Sequence, residues 1–485
     1  MSAAAVGIKS YGVFVPRLRI ARSAIADAHS WALPGLKSLG RGERAFCSWD
    51  EDAITMAVQA ARDCLASAPD VQAADVVLAS TTAPFADLQN ASIVARALRL
   101  NESVTSQDAS GSTRAALRAL AAALEGDGAE PRLVIGSDCR QAKPGSTQEM
   151  TYGAGSAALL TGRGDLVARY LGRHSNEVPF VDHFRQVGER YDYYWEERWI
   201  RDEGVSRIGL PAVKALLERV GVRPDRVSWF GVAGAPVGAD TLVAKGLGIA
   251  PERVISDLQG TVGDTGAAHP LLLLASALER ARPGEIIVIA AFGLGCEALA
   301  FERTDAAFQP RRGLDAAVAN RHPETSYLKM LSFARELQLD WGPRSETPIK
   351  AALTQQYRSA GQLLGFVGSR CSACGQVQFP VLPTCVGCAA ADTQTPHPLA
   401  DEAAQVATVS ADWLQYYPAP PLYVGLVQFQ SGARALMEIV DVPSSGVDVG
   451  TPLRFAFRVK ARDEVRHYSR YFWKAIPAWK AIPAT

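Results

Sequence analysis

The sequence predicts an α/β protein with a duplicated half, followed by a cysteine-knuckle module and a small β-barrel. Three observations carry this expectation. Similar stretches recur at an offset of about 150 residues. Within each copy, short apolar runs alternate with stretches of helical period. Four of the chain's eight cysteines fall within residues 371–388, and alternating strand-like runs follow them.

The repeat can be followed element by element. DEDAITMAVQAARDCL from Asp50 is echoed by DEGVSRIGLPAVKALL from Asp202. ADVVLASTTAP, ending at Pro84, is echoed by SWFGVAGAP, ending at Pro236, and IVARALRL from Ile93 by LVAKGLGI from Leu242. VTSQDASGSTRAAL matches VISDLQGTVGDTGAAHPLL, Ala123-Leu124-Glu125 matches Ala277-Leu278-Glu279, and PRLVIGSD matches GEIIVIAAFG. Each copy therefore reads helix, strand, helix, strand, helix, strand. Residues 76–79, 133–135 and 286–290 are short continuous apolar runs, which suit strands buried on both faces. Ile54, Val58, Ala61 and Leu65 form one apolar helical stripe. Two such halves in one chain are expected to close as a pseudo-twofold sandwich of sheets and helices.

Composition narrows the function classes. At roughly 100–200 residues per domain, 485 residues predict about two to four domains. Fifty Lys+Arg balance fifty Asp+Glu, so nothing draws the chain to phosphate backbones and no nucleic-acid partner is expected. No apolar run approaches the roughly 20 residues that span a bilayer. The densest run, from Leu271 toward Leu278, is short and ends in charge, so no membrane partner is expected. MSAAAVGIKS lacks the basic segment of a secretory signal, and a cytoplasmic location is expected. Eight cysteines are too sparse for a disulfide scaffold. Cys47, Cys64, Cys139 and Cys296 are scattered.

The duplicated pattern resembles the thiolase superfamily. GIKSYGVFVPRLRI and VGDTGAAHPLLLLASALERARPGEIIVIAAFGLG are similar to its hydroxymethylglutaryl-CoA synthase branch, over residues 6–303. The resemblance implies a five-layered αβαβα fold, a homodimer through the thiolase-like domain, and an acyl-CoA substrate with coenzyme A as part of it. On this basis the halves cover residues 1–165 and 166–305. A helical connector over 306–360, a zinc ribbon over 361–390 and an OB-fold over 391–485 follow.

Condensing enzymes of this superfamily carry a Cys nucleophile at a helix N-terminus. The helix dipole and free N–H groups there lower the thiol pKa and cradle an oxyanion. The corresponding stretch runs from Ser106 to Thr113 and puts Ala109 at the nucleophile position. A one-residue slip offers Asp108 or Ser110, never a thiol, because no Cys lies between Cys64 and Cys139. Cys139 follows a strand, on the wrong element. The family's Glu, His and Asn positions read Thr81, Gly234 and Asp264. An acyl-Cys mechanism has no visible nucleophile.

What the resemblance leaves is an oxyanion site. Two glycine-containing turns, at Gly111 and at Gly263 to Gly266, open helices related by the pseudo-twofold. They are expected to present N–H groups to a shared cavity, with Ser110, Gly111, Ser112, Gly263 and Thr81 binding substrate. Polarising a thioester carbonyl acidifies its α-carbon, so aldol or retro-aldol chemistry needs only this hole and a base. Asp108, Asp264 and His269 are the titratable groups on these turns. Each also has a structural role open to it: caps for the two Asp, packing for the His.

Between the halves lies an aromatic insertion, VPFVDHFR at 178–185 and RYDYYWEERW at 190–199. The patch from Asp182 to Arg185 is similar to the Asp-Phe-Trp-Arg segment bordering the synthase substrate cavity, which makes Arg185 a substrate-binding candidate. Aromatics at this density form large rigid surfaces: a pocket wall, a dimer interface or a packed surface loop. His183 or a tyrosine such as Tyr191 is a candidate acid/base.

Cys371, Cys374, Cys385 and Cys388 form C-x₂-C-x₁₀-C-x₂-C. Two such knuckles supply four thiolates to one Zn²⁺ and leave no open position, so the metal is structural. A rubredoxin-type iron takes the same ligands. Leu453, Phe455, Phe457 and Val459 alternate with Arg454, Ala456, Arg458 and Lys460, as in a barrel strand. RCSACGQVQFP and RYFWKAIPA resemble the rubredoxin-like zinc ribbon and OB-fold domain that accompanies thiolase-like enzymes, usually as a separate chain. That resemblance implies a part in the CoA or substrate channel, with Arg454, Arg458 and Lys460 either near CoA phosphates or on a solvated face. A helix is expected over 326–337, and WKAIPA occurs twice at the C-terminus.

The function expected is C–C bond formation or cleavage beside an acyl-CoA thioester, of aldol type, without an acyl-Cys intermediate. The alternatives are synthase-type condensation through an unrecognised nucleophile and a non-catalytic acyl-CoA scaffold.

Overall fold

A computed structural model describes residues 5–126, 130–234, 236–255, 257–346 and 349–478. The chain forms two compact units, residues 1–95 with 100–337, and 96–99 with 338–485. The second WKAIPA, at 479–484, lies outside the described residues.

The first unit is built on nine strands: β1 Val6–Phe14, β2 Asp75–Ala79, β3 Thr105–Ala109, β4 Arg132–Cys139, β5 Ala154–Arg163, β6 Ala168–Glu177, β7 Val227–Ala233, β8 Ile286–Phe292 and β9 Gly295–Arg303. Their order is β7-β8-β9-β6-β1-β5-β4-β2-β3. The sheet is two pseudo-symmetric halves, joined where Gly7 and Ile8 of β1 meet Arg169 and Ala168 of β6. In each half parallel strands come first (β3, β2 and β4; β7 and β8), and an antiparallel strand (β5; β9) returns beside the last. The counterpart of β3 is a single parallel bridge, Phe230 to Val254.

Three helices in each half match as the repeat predicts: α1 Ala53–Ala66 with α4 Leu210–Val220, α2 Asn90–Ala97 with α5 Ala239–Leu247, and α3 Ala115–Glu125 with α6 His269–Arg280. Asp52 starts α1 with a capping box: it accepts from the Thr55 N–H at 2.9 Å while Thr55 Oγ1 accepts from its own N–H at 2.8 Å. Residues of α3 and α6 share one core cluster with both half-sheets. A helix apolar all round is a buried helix, and Leu271, Leu272 and Leu274 of α6 are fully buried. The leucine run is therefore the central layer of the sandwich. Among the described residues no helix is long and apolar enough to cross a membrane.

Each copy has two strands more than the six-element pattern, an opening one (β1, β6) and a returning one (β5, β9). Their residues are small where helices press on them. A Cβ at Gly12 of β1 would run into the backbone of α1, and β5 reads AGSAALLTGR. The first half of β5, AGSAA, lacks the branched and aromatic residues by which strands are recognised.

The expected connector helix is α7 Tyr327–Phe333, capped by Ser326, which accepts from the Lys329 N–H at 3.2 Å. Residues 306–337 cluster with the first unit and 338–360 with the second.

The second unit begins with a three-stranded ribbon, β10 Val367–Cys371, β11 Val377–Gln378 and β12 Gln394–Pro398. A closed barrel follows, in the order β13-β14-β15-β17-β16, from β13 Ala404–Asp412, β14 Leu422–Phe429, β15 Arg434–Ile439, β16 Pro452–Asp463 and β17 Tyr468–Pro477. Phe366, Phe429, Phe455, Phe457 and Trp473 fill its core. The expected polar face of β16 is corrected here. Ala456 and Arg458 are buried. Arg458 pairs with Asp441 at 2.7 Å, and Lys460 is held by Glu438. These two cations are paired with barrel carboxylates.

Candidate active site

The C-terminal ends of parallel strands are where α/β proteins place ligands, and β4 ends in Asp138-Cys139, followed by Arg140. Asp138 is fully buried. Its carboxylate accepts six hydrogen bonds of 2.7–3.0 Å: from Ser80 Oγ, the N–H and Oγ1 of Thr81, the N–H and Oγ1 of Thr82, and the Ala267 N–H. It thereby ties the loop after β2 to the turn before α6, the two places where the family's Glu and Asn would stand. Thr81 is part of this clamp rather than a free substrate ligand. Gly266, at φ +58°, is required there, because a Cβ would strike the Asp138 carboxylate.

Arg140 organises the next group. Its Nη1 donates to Asp264 at 2.7 Å, and its Nη2 to the Tyr152 hydroxyl at 2.6 Å and to Asp192 at 2.8 Å. The guanidinium also lies 3.6 Å from the Tyr152 ring centroid. Tyr152 in turn donates to Asp192 at 2.8 Å. Arg185 reaches the other Asp192 oxygen at 3.1 Å and donates to the Thr81 carbonyl. Burial alone would raise the Asp264 carboxyl, but Arg140, then His269 and the Gly266 N–H, more than offset it and hold the pKa below its usual value. Asp192 is likewise lowered, burial being outweighed first by Arg140 and then by His183. Both carboxylates are held ionised and paired by Arg140, which lowers their basicity.

His183 stands beside this network. It belongs to a two-residue ladder in which His183–Phe184 pairs with Tyr193–Tyr194, and its ring lies 5.9 Å from that of Tyr194. Its Nδ1 lies 2.8 Å from Asp182 Oδ2. Asp182 is 1% exposed, and its Oδ1 has no hydrogen-bond partner among the described residues. A buried carboxylate on Nδ1 leaves Nε2 as the basic nitrogen. Tyr152, Asp192 and Tyr194 line a cavity of about 400 Å³ with Gln141, Lys143 and Trp195.

Other expected residues lie elsewhere. Asp108 secures the start of α2, accepting from the Asn90 N–H at 2.7 Å, Asn90 Nδ2 at 2.8 Å and the Ala91 N–H at 2.8 Å. His269 is buried and faces a space of only about 10 Å³, and burial chiefly pushes its imidazole pKa down. Its Nδ1 accepts from Thr265, at 3.4 Å from the N–H and 3.3 Å from the hydroxyl. Tyr191 lines the larger cavity, but its hydroxyl is held by Glu336; burial first, then that bond, raises its pKa.

The two turns differ. On the second, every N–H from Gly263 to Ala268 is used by the protein: by Leu258 O, Thr151 O, His269 Nδ1, Asp264 Oδ1, Asp138 Oδ2 and Thr265 O in turn. Gly263 and its neighbours therefore have no donor left for an oxyanion, which corrects the shared-hole expectation. On the first turn Ser110 is exposed, and Gly111, at φ +88°, adjoins open space. Among the described residues the Gly111 and Ser112 N–H groups have no protein acceptor, while the Ser112 hydroxyl lies 3.2 Å from the Gly293 carbonyl. The family's His position is closed: a Cβ on Gly234 would meet the Phe292 carbonyl and Thr113 Oγ1.

Three of the scattered thiols have their pKa raised by burial. Burial pushes Cys64 and Cys296 up to about 12 and Cys47 well above its usual value. Cys139 packs with Cys47 and Met56. In the ribbon, by contrast, the four sulfurs of Cys371, Cys374, Cys385 and Cys388 lie within 4.8 Å of one another. Cys371–Cys388 is 3.8 Å and Cys374–Cys385 is 3.6 Å. A tetrahedron with Zn–S near 2.3 Å has edges of about 3.8 Å, so this donor set fits a closed metal site.

Sequence reasoning missed Asp138, Arg140, Tyr152 and Asp192. The available signal was the charged pair in IGSDCRQ, placed where an apolar strand ends.

The fold and site define a thiolase-like protein with an appended metal ribbon. Residues 217–301 match the 3-oxoacyl-[acyl-carrier-protein] synthase III C-terminal family model, and residues 358–394 match the ChsH2 rubredoxin-like zinc ribbon model. The hydroxymethylglutaryl-CoA synthase of Pyrococcus furiosus is 32% identical over 304 residues, covering 61% of this chain and 85% of that one. The 3-oxoacyl-(acyl carrier protein) synthase III structure from Pseudomonas aeruginosa aligns at TM-score 0.55 and 21% identity, over 62% of this chain and 99% of that one. A hydroxymethylglutaryl-CoA synthase structure with bound CoA aligns at TM-score 0.56 and 18% identity, over 72% and 94%. The chain belongs to the hydroxymethylglutaryl-CoA synthase family of the thiolase superfamily.

Proposed function

We propose that the protein forms or breaks a C–C bond next to an acyl-CoA thioester, by aldol or retro-aldol chemistry, without an acyl-Cys intermediate. The observation that carries this reading is the His183 imidazole, held by buried Asp182 and stacked 5.9 Å from Tyr194 of the wall of the 400 Å³ cavity, in a chain with alanine at the nucleophile position. In the cleavage direction, His183 Nε2 takes the proton of a 3-hydroxyl group. The C2–C3 bond breaks, C3 becomes a carbonyl, and the electron pair moves into a thioester enolate. The Gly111 and Ser112 N–H groups hold the enolate oxygen. The proton returns to C2 from His183, leaving a shortened acyl-CoA. Asp182 fixes the tautomer, and Asp192, Arg140 and Asp264 keep the wall of the cavity rigid.

The four ribbon cysteines hold a structural Zn²⁺ in this reading. A homodimer forms through the thiolase-like unit, supported by the exposed edge strand β3; sedimentation tests it.

The decisive experiment follows turnover of 3-hydroxyacyl-CoA by the full chain and by His183→Asn. The variant should lose about 10²–10⁴-fold in rate with an unchanged melting temperature. A denaturation-stable acyl-enzyme from radiolabelled acyl-CoA would overturn the reading.

A further inference from the structure

We infer that the acyl group this cavity accepts is uncharged and carries an apolar ring. The inference rests on the acyl-CoA reading above and narrows its substrate class. The first support is electrostatic. A site for a carboxylate-bearing acyl group needs a cation whose charge is not already balanced by the protein. Here both terminal nitrogens of Arg140 donate to Asp264, Asp192 and Tyr152. Those of Arg185 donate to Asp192 and the Thr81 carbonyl. Arg190 is engaged by Gln141, Ala334 and Glu336. An incoming carboxylate would meet Asp192 at the wall and would have to displace a buried ion pair to be satisfied. Lys143, also on the lining, is solvent-exposed, and its ammonium is screened by water.

The second support is the wall itself. Tyr152, Tyr191, Tyr193, Tyr194 and Trp195 all line the cavity. Tyr193 is 57% and Trp195 50% exposed, and Phe184 beside them is 53% exposed. The Phe184 and Tyr193 ring centroids are 5.4 Å apart, and those of Tyr193 and Trp195 6.2 Å. This is a continuous aromatic strip left facing water, and such a strip marks a ligand surface. Its tilted rings sit at centroid spacings within the range at which aromatic rings attract one another. A cavity of about 150 Å³ admits benzene, so 400 Å³ holds a ring together with the carbons that link it to a thioester.

The test is calorimetric binding to the full chain of four probes: 3-hydroxy-3-phenylpropionyl-CoA, 3-hydroxybutyryl-CoA, 3-hydroxy-3-methylglutaryl-CoA and free CoA. The phenyl probe is expected to bind at least about tenfold more tightly than the other two thioesters. Trp195→Ala and Tyr193→Ala should each remove most of that preference while leaving the Kd of free CoA unchanged. Trp195→Phe should retain it. These side chains are half-exposed, and an unchanged melting temperature verifies folding. Equal affinities, tighter binding of the carboxylated probe, or a preference that survives both alanine variants would overturn the inference. Preferred binding of the phenyl probe without its cleavage keeps the substrate class and overturns the aldol reading. Cleavage without preference does the reverse. No binding of any thioester overturns both.

Discussion

Arg140→Met keeps much of the side chain's bulk and removes the cation on which two buried carboxylates depend. Arg140 lies 2.7 Å from Asp264 and 2.8 Å from Asp192. The side chains of Arg140 and Asp192 are only 3% and 6% exposed. Breaking one buried ion pair costs about 3–5 kcal/mol, mostly by stranding the surviving charge. Two carboxylates share this cation, but Arg185 remains 3.1 Å from Asp192. The loss at pH 7 is therefore expected at about 3–5 kcal/mol rather than twice that.

The pH dependence carries a sign that distinguishes the mechanism. In the native protein both carboxyls titrate below their unfolded value of about 3.9, because Arg140 and its neighbours outweigh burial. Their stabilisation is present above that value and is lost as pH falls through the lower folded values. In Arg140→Met the guanidinium no longer opposes burial, and both carboxyls move up from their native values. Their penalty is then relieved as pH falls from 7 toward 4, so the gap between variant and native protein narrows on acidification. Urea unfolding at pH 7 and pH 5 measures this. Adding Asp192→Asn and Asp264→Asn to Arg140→Met should recover part of the loss. A cost below about 1 kcal/mol at pH 7, the size of a surface pair, or a gap independent of pH would refute the argument.

Asp108→Ala removes the acceptor for three donors at the start of α2, and denaturant titration should show a loss of about 1–2 kcal/mol. Cys374→Ser should lower bound zinc from one ion per chain to a small fraction, read by elemental analysis of the purified protein. His269→Gln tests the buried imidazole. Burial, the chief cause, lowers its folded pKa, so native stability is full above the unfolded value of about 6.5 and declines below it. The variant's melting temperature should fall less between pH 7 and pH 5 than that of the native protein.

The parts legible in the sequence are those fixed locally. Strands such as 133–135 are buried on both faces and read as apolar runs. The emptied family positions, Ala109, Thr81 and Gly234, were visible as departures inside a recognisable motif. What fills the site was not visible, because its pairs are distant: Arg140 and Asp264 are 124 residues apart, and Asp192 lies in the insertion. Spacing carries no information about such pairs. The structure nonetheless makes sense of one departure that the sequence left open. Where the family has a neutral Asn, this chain has Asp264, and its partner is a guanidinium buried at the end of β4. A neutral amide there would leave Arg140 with Asp192 as its main counter-charge, already shared with Arg185. The change from Asn to Asp supplies the missing negative charge. The same carboxylate takes the Gly266 N–H, and Asp138 takes the next one. An aspartate in the family's Asn position thus balances the guanidinium at the end of β4, and the remaining donors at Gly111 and Ser112 stand where the thiol is absent.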